Sequence, residues 1–120
     1  MSKAARSITV FGIYLGFSGL SFIFIPNIFL PLLGFPATTE VWIRMVGLLA
    51  LILGMYFLYS VRYNDRLFFR ATIIARLMFF TGVTAFALLG WASPLLIVFG
   101  LVDLAGAAWT WLALKAEANA

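Results

Sequence analysis

Apolar residues occupy four long stretches of this chain, separated by short clusters of charged and turn-forming residues. No Asp, Glu, Lys or Arg interrupts residues 7–39, 45–61, 77–102 or 104–114. Because about 20 consecutive apolar residues cross the hydrocarbon core of a bilayer, this pattern predicts membrane-spanning helices. We expect one transmembrane domain over residues 1–120, an all-α integral membrane four-helix bundle with helices at about 8–25, 41–61, 66–89 and 94–115.

Three prolines interrupt the first apolar stretch, at Pro26, Pro31 and Pro36. Proline lacks a backbone N–H and clashes with the preceding helical turn, so these residues cannot lie inside one regular helix. The pattern predicts a short interfacial or re-entrant segment at 26–36 that stops at Gly34. Since non-helical backbone at membrane depth must be shielded by protein, this segment should pack on the bundle.

Capping residues mark several of the predicted helix boundaries. Thr38 or Thr39 would cap the second helix with a hydroxyl, and Asn64 or Asp65 would cap the third. Gly90 is a natural C-terminal stop for the third helix, because glycine readily adopts the left-handed conformation that ends a helix.

Composition supports a membrane protein and narrows its chemistry. The chain is 65% hydrophobic and 10% charged, with a mean hydropathy of +1.12, whereas soluble domains are about half apolar and a quarter charged. It contains no Cys and no His. Disulfides, zinc–thiolate and iron–sulfur sites, histidine-ligated haem and the commonest general base are therefore excluded. The sequence shows no catalytic residues and no metal site, requires no cofactor, and favours a protein that is not an enzyme.

The net charge of +4 is concentrated near the ends of the predicted helices, not on a face that would bind nucleic acid. Cytoplasmic loops of membrane proteins carry an excess of Lys and Arg. We therefore predict a multi-pass protein of the cell (inner) membrane with both termini in the cytoplasm. The residues that indicate this orientation are Lys3, Arg6, Arg62, Arg66, Arg70 and Lys115.

Two opposite charges, Arg76 and Asp103, lie deep inside the last two predicted helices. Each is about 14 Å from the end at which its helix enters the membrane, so both lie near the same depth. Side chains lean toward the N-terminus of their own helix, so a water molecule or a Tyr hydroxyl could bridge the two groups in place of a direct contact. We favour a buried pair that fixes helix register over a site that handles protons or a ligand.

A second charged pair, Glu40 and Arg44, has the i, i+4 spacing of one helix face near the outer surface. The favoured interpretation is an interfacial anchor. In the alternative, Arg44 points inward, and Arg44, Arg76 and Asp103 form one polar intramembrane site that opens outward.

Small residues predict close helix packing, and aromatic residues raise the question of a ligand. We expect packing seams at Gly12, Gly16, Gly47, Gly54, Gly100 and Gly106. With 13 Phe, 4 Trp and 4 Tyr in the chain, a pocket for a flat apolar ligand such as a quinone or carotenoid, or for a lipid, is an alternative to plain lipid-facing packing.

The segments 32–36, 40–44 and 99–109, together with the apolar first helix and Pro94, resemble the DoxX-like group of small bacterial four-helix membrane proteins. This resemblance implies the same architecture. It also implies a membrane subunit that binds quinone or lipid, since some members belong to thiosulfate:quinone oxidoreductases.

Three functions remain open from the sequence. The favoured one is a non-catalytic accessory or scaffold subunit of a larger membrane complex, for example an energy-converting one, whose partners are the lipid bilayer and other membrane subunits or further copies of the chain. The alternative is a quinone- or lipid-binding subunit of a membrane oxidoreductase, and the third is a small transporter. No nucleic-acid partner is expected.

Overall fold

The computed structural model describes residues 1–119, and within them the chain forms helices and no strands. Four long helices, α1 (Lys3–Phe24), α3 (Trp42–Arg62), α4 (Arg66–Leu88) and α5 (Leu95–Ala118), are long and apolar enough to cross a membrane. Two short elements, α2 (Pro26–Phe29) and a 3-10 turn (Pro31–Leu33), separate α1 from α3. The predicted all-helical membrane bundle is confirmed.

Helix α1 is the central element of the bundle. It packs most extensively against α3, also contacts α5 and touches α4, while α4 and α5 form the second large helix pair. The Cα atoms extend over 48 × 29 × 17 Å. Large apolar side chains such as Phe17 and Met78 are 67% and 69% exposed, as expected where the surrounding medium is lipid and not water.

Helix α1 begins at Lys3, about five residues before the predicted start, because its first turn is capped from two sides. The hydroxyl of Ser2 accepts a hydrogen bond from the Ala5 amide at 3.1 Å. The carboxylate of Glu117 accepts one from the Ala4 amide at 2.9 Å. These acceptors satisfy N–H groups that a helix start leaves unpaired. The same contact explains why α5 continues beyond residue 115 to Ala118.

The two chain termini and the α3–α4 turn meet at one end of the bundle, which we call the basic end. Ser2 donates a hydrogen bond to the side-chain oxygen of Asn64 at 3.2 Å. Arg66 forms an ion pair with Glu117 at 2.6 Å. The six basic residues named above lie at this end, so the gathering of the termini matches the distribution of positive charge.

The proline-rich segment closes the opposite end of the bundle. Pro26 and Pro31 each begin a short helical element, and Gly34, with φ of 84°, ends the second one. Leu30 is 1% exposed and packs in a core cluster with Phe22 and Ile43. The segment therefore lies against the bundle, and Pro26 and Pro31 occupy helix starts where a missing N–H has no cost.

Two of the predicted caps are present and one is not. The Asp65 carboxylate accepts a hydrogen bond from the Phe68 amide at 3.1 Å and caps α4, and Gly90, with φ of 79°, follows the end of α4. The expected threonine cap on α3 is wrong, since this helix has no side-chain cap. Thr38 instead accepts from the Glu40 amide at 3.1 Å and stabilises a turn before the helix starts.

Candidate functional site

Arg76 lies in the interior of the bundle, where only 3% of its surface is exposed. Its Nε donates a hydrogen bond to the backbone carbonyl of Thr72 at 3.1 Å. One terminal nitrogen donates to the hydroxyls of Thr72 and Thr110, each at 2.9 Å. The guanidinium is thus held between α4, which carries Arg76 and Thr72, and α5, which carries Thr110.

The hydrogen bonds continue from Thr110 to the first helix. The hydroxyls of Thr110 and Ser7 are 2.8 Å apart, and Ser7 donates to the Ala4 carbonyl at 2.7 Å. Because a hydroxyl has only one hydrogen, Ser7 must accept from Thr110. In this chain of hydrogen bonds, Arg76 therefore donates to Thr110, Thr110 to Ser7 and Ser7 to the Ala4 carbonyl, so that all three bonds point toward the basic end.

Two phenyl rings complete the surroundings of the guanidinium. Its central carbon is 4.8 Å from the ring centroid of Phe11 on α1 and 5.8 Å from that of Phe57 on α3. Both distances are within the range of a cation–π interaction. Contacts from all four long helices thus converge on one charge. We call these residues the Arg76 cluster, which consists of Ser7, Phe11, Phe57, Thr72, Arg76 and Thr110.

Gly106 on α5 provides the space for the guanidinium. A Cβ atom at this position would lie 2.9 Å from the ring of Phe11 and 3.1 Å from a terminal nitrogen of Arg76. Both distances are shorter than ordinary van der Waals contact. A larger side chain would therefore push either the ring or the guanidinium from its position.

Asp103 is also buried, with 8% exposure, but it does not form an ion pair with Arg76. Among residues 1–119, the only ion pair within 4.0 Å joins Arg66 and Glu117. The reason is the direction of the two side chains. Arg76 reaches back toward its own helix start and meets Thr110, which is about 10 Å along α5 from Asp103.

Two buried polar atoms near this site have no hydrogen-bond partner among the described residues. They are the second terminal nitrogen of Arg76 and the hydroxyl of Tyr14, which lies near the Ser18 hydroxyl but without hydrogen-bond geometry. The ring of Tyr14 lies between those of Phe11 and Phe99, with centroid distances of 5.3 and 6.3 Å. Tyr14 is one turn from Phe11 along α1, and Asp103 is one turn from Gly106 along α5, both away from the basic end. Toward the basic end, the buried polar groups around Arg76 thus all have hydrogen-bond partners among the described residues. Toward the opposite end, two of them do not.

Arg44 does not join this site. It is exposed, and its guanidinium donates a hydrogen bond to the backbone carbonyl of Ile23 in the last turn of α1. A helix end leaves such carbonyls unpaired and attracts cations. Glu40 lies before the first residue of α3, so the i, i+4 geometry of a helix does not apply to it, and no ion pair with Arg44 forms within the described chain.

The glycines form two separate seams. On the α1–α3 seam, Cβ atoms added to Gly47 and Gly54 would lie 2.6 and 2.8 Å from the carbonyl oxygens of Gly19 and Gly12. On the α4–α5 seam, a Cβ at Gly100 would lie 2.6 Å from Val83. At Gly16 a Cβ would meet nothing within 4 Å, so this glycine lies beside the first seam but is not required by it.

Sequence reasoning placed Arg76 and Asp103 in the interior but did not identify the groups that bind Arg76. Thr72 precedes Arg76 by four residues, which is the spacing that brings two side chains together on a helix. That spacing would have identified Thr72. Thr110 shares a helix face with Asp103 and Gly106, but nothing in the sequence shows that its hydroxyl meets Ser7.

Comparison with protein-family models, curated protein sequences and solved structures finds no match to this chain.

Proposed function

We propose that this protein is a non-catalytic subunit of a larger membrane complex, in which it serves as a structural or accessory component. The observation that carries this proposal is the Arg76 cluster. The buried charge is bound by hydroxyls, a carbonyl and two phenyl rings of the chain itself. A charge bound in this way fixes the relative positions of four helices, which is the role of a register-setting group.

Helix α4 supports the expectation of a neighbouring subunit. Only 17% of the apolar stretch of α4 that could span a membrane is buried inside the chain, whereas the corresponding share of α1 is 39%. Ala75 is exposed on this helix, and a Cβ at Gly82 would meet nothing within 4 Å. Ala75 and Gly82 are seven residues apart and so share one helix face, and small residues on such a face let a second helix approach closely.

Affinity purification from native membranes in a mild detergent, followed by native mass spectrometry, tests this proposal. We expect a second membrane protein in stoichiometric amount. Because the chain has no Cys, the variant Ala75→Cys gives a single cross-linking position on α4, and Leu53→Cys on the exposed face of α3 is the matched control. A chain that purifies alone, without α4-specific cross-links to protein, would contradict the proposal.

Cysteine labelling in intact cells tests the orientation of the chain. The distribution of positive charge supports the proposal that both termini face the cytoplasm. A single cysteine placed after Ala118 should then be protected from a membrane-impermeant thiol reagent in intact cells, while one at the exposed Trp91 position in the α4–α5 turn should react. The reverse labelling pattern would refute this topology.

A second function, a quinone- or lipid-binding subunit of a membrane oxidoreductase, is favoured by a different observation. The free nitrogen of Arg76 and the Tyr14 hydroxyl are buried donors without partners among the described residues, beside the buried Asp103. Oxygen atoms of a quinone could accept from both donors. The resemblance to DoxX-like proteins supports the same proposal.

Quinone titration of the purified protein, followed by quenching of tryptophan fluorescence, tests this second function. We expect the variants Tyr14→Phe and Asp103→Asn to weaken binding, while Tyr56→Phe at an exposed position serves as the control. Equal quinone affinity in all three variants, or no saturable binding by the unmodified chain, would rule this function out.

A further inference from the structure

A groove of about 340 Å³ opens at the basic end, between the first turns of α1 and the last turns of α5. The Arg76 cluster does not contribute to its walls. The groove is lined by Lys3, Arg6, Trp109, Leu112, Ala113 and Ala116.

Among residues 1–119, the walls of this groove carry positive charge without a compensating acid. Lys3 and Arg6 are both exposed, and no carboxylate of the described residues lines the groove. The nearby Glu117 is already bound by Arg66 at 2.6 Å and by the Ala4 amide at 2.9 Å. Among the residues that the structure describes, neither Lys3 nor Arg6 takes part in an ion pair. Both cations are therefore available to an anion.

The charge and the apolar surface are separated along the groove. Trp109 and Leu112 are 43% and 57% exposed, and Trp109 precedes Ala116 by about 10 Å along the helix axis. The side chains of Trp109 and Leu112 thus extend from the level of the cations toward the centre of the bundle. Ala113 and Ala116, which also line the groove, are short, so the groove stays open to an elongated molecule. An occupant must combine an anionic head with an apolar chain.

We propose that this groove binds one anionic phospholipid, with its phosphate between Lys3 and Arg6 and an acyl chain along Trp109 and Leu112. Its volume of about 340 Å³ is within the range of small-molecule sites, about 300–1,000 Å³. Basic pockets between membrane helices at the cytoplasmic side bind anionic headgroups in this way. The site is distinct from the Arg76 cluster and does not depend on the function proposed above.

Native mass spectrometry of the protein in a neutral detergent, titrated with phosphatidylglycerol or phosphatidylcholine, tests this site. The test variant combines Lys3→Gln with Arg6→Gln. The control variant combines Arg62→Gln with Arg70→Gln, which removes the same charge from exposed residues at the same end outside the groove. Circular dichroism verifies that both variants retain their helices.

We expect the unmodified chain and the control to retain one phosphatidylglycerol in preference to phosphatidylcholine. The Lys3/Arg6 variant should bind it about 25-fold more weakly, at about fivefold for each cation removed. Equal weakening in both variants would show that only net charge matters, and equal retention in both would show that the groove is not the site. Either result overturns the proposal.

Two further measurements distinguish the lipid from a free anion. Inorganic phosphate alone should neither bind nor displace the lipid, because it cannot use the apolar wall; if it does, the site recognises a free anion and the lipid assignment fails. Phosphatidylglycerol brominated on its acyl chains should quench less fluorescence in a Trp109→Phe variant than in Trp91→Phe. Equal quenching in these variants would remove Trp109 from the site.

Discussion

The glycine seam between α1 and α3 allows a sharp test of how tightly these helices are packed. In the variant Gly47→Ala, the new Cβ would lie 2.6 Å from the Gly19 carbonyl oxygen and 2.9 Å from the Cβ of Phe22. Ordinary contact begins near 3.4 Å, so the helices must separate locally by about 0.8 Å. Both close atoms belong to rigid parts of α1. The strain therefore cannot be relieved by a side-chain rotation alone.

The expected magnitude follows from two opposing effects. Overpacking of this kind costs about 1–3 kcal/mol, while replacing glycine by alanine inside a helix contributes about 1 kcal/mol of stability. Gly47→Ala should thus lower the free energy of unfolding by about 0–2 kcal/mol. In Gly16→Ala the new Cβ would meet nothing within 4 Å, so only the gain in helix stability remains. The free energy of unfolding of this variant should be about 1 kcal/mol higher than that of the unmodified chain.

Reversible unfolding in mixed micelles of a mild detergent and SDS, followed by far-ultraviolet circular dichroism, measures both variants under the same conditions. We expect Gly47→Ala to be about 1–3 kcal/mol less stable than Gly16→Ala. Equal stability of the two variants, or a more stable Gly47→Ala, would refute the argument that backbone contact holds α1 and α3 together.

Three further contacts can be tested by the same unfolding assay. Thr110→Val removes a partner of the buried guanidinium and should cost about 1–3 kcal/mol, whereas Thr81→Val at an exposed position should change stability by less than about 0.5 kcal/mol; a similar effect of both would count against the hydrogen-bond argument. Glu117→Gln removes the ion pair with Arg66 and keeps an amide oxygen for the α1 cap, so the loss should be at most about 1 kcal/mol and should disappear at high salt. Asp65→Ala should cost about 1 kcal/mol through loss of the α4 cap, and Asp65→Asn should restore most of it; no recovery would argue against capping.

The sequence was sufficient to predict the four long helices, because each is an apolar segment of 21–24 residues, about the length of a membrane span. Local chemistry also predicted the boundaries at Asp65 and Gly90, where a carboxylate cap and a left-handed glycine act within a few residues. The start of α1 was missed for the opposite reason. Its cap depends on Glu117, which is more than one hundred residues away along the chain, and no local pattern contains such a contact.

The neighbours of each helix were harder to predict than the helices. Helices that are apolar on nearly every side do not show which face is buried, since lipid and protein interiors attract the same residues. A short connection joins α3 to α4, which would favour packing between them. Helix α3 nevertheless packs mainly on α1. The interaction of Phe57 with Arg76 depends on that arrangement. Thr110 and Ser7 were missed for the same reason, because their contact joins α5 to α1.

The distribution of hydrogen bonds around Arg76 separates the two proposed functions. Toward the basic end, each donor of the cluster has an acceptor, and those contacts stabilise the bundle whatever the protein does. Toward Asp103, a guanidinium nitrogen and the Tyr14 hydroxyl remain unpaired within the described chain, and unpaired buried donors carry a cost of about 1–3 kcal/mol each. Without quinone, both functions predict that Tyr14→Phe is at least as stable as the unmodified chain, because the variant has lost an unpaired donor. At a purely structural site, added quinone leaves this difference unchanged. At a ligand site, added quinone raises the stability of the unmodified chain to that of Tyr14→Phe or above, so the effect of quinone on the two stabilities decides between the functions.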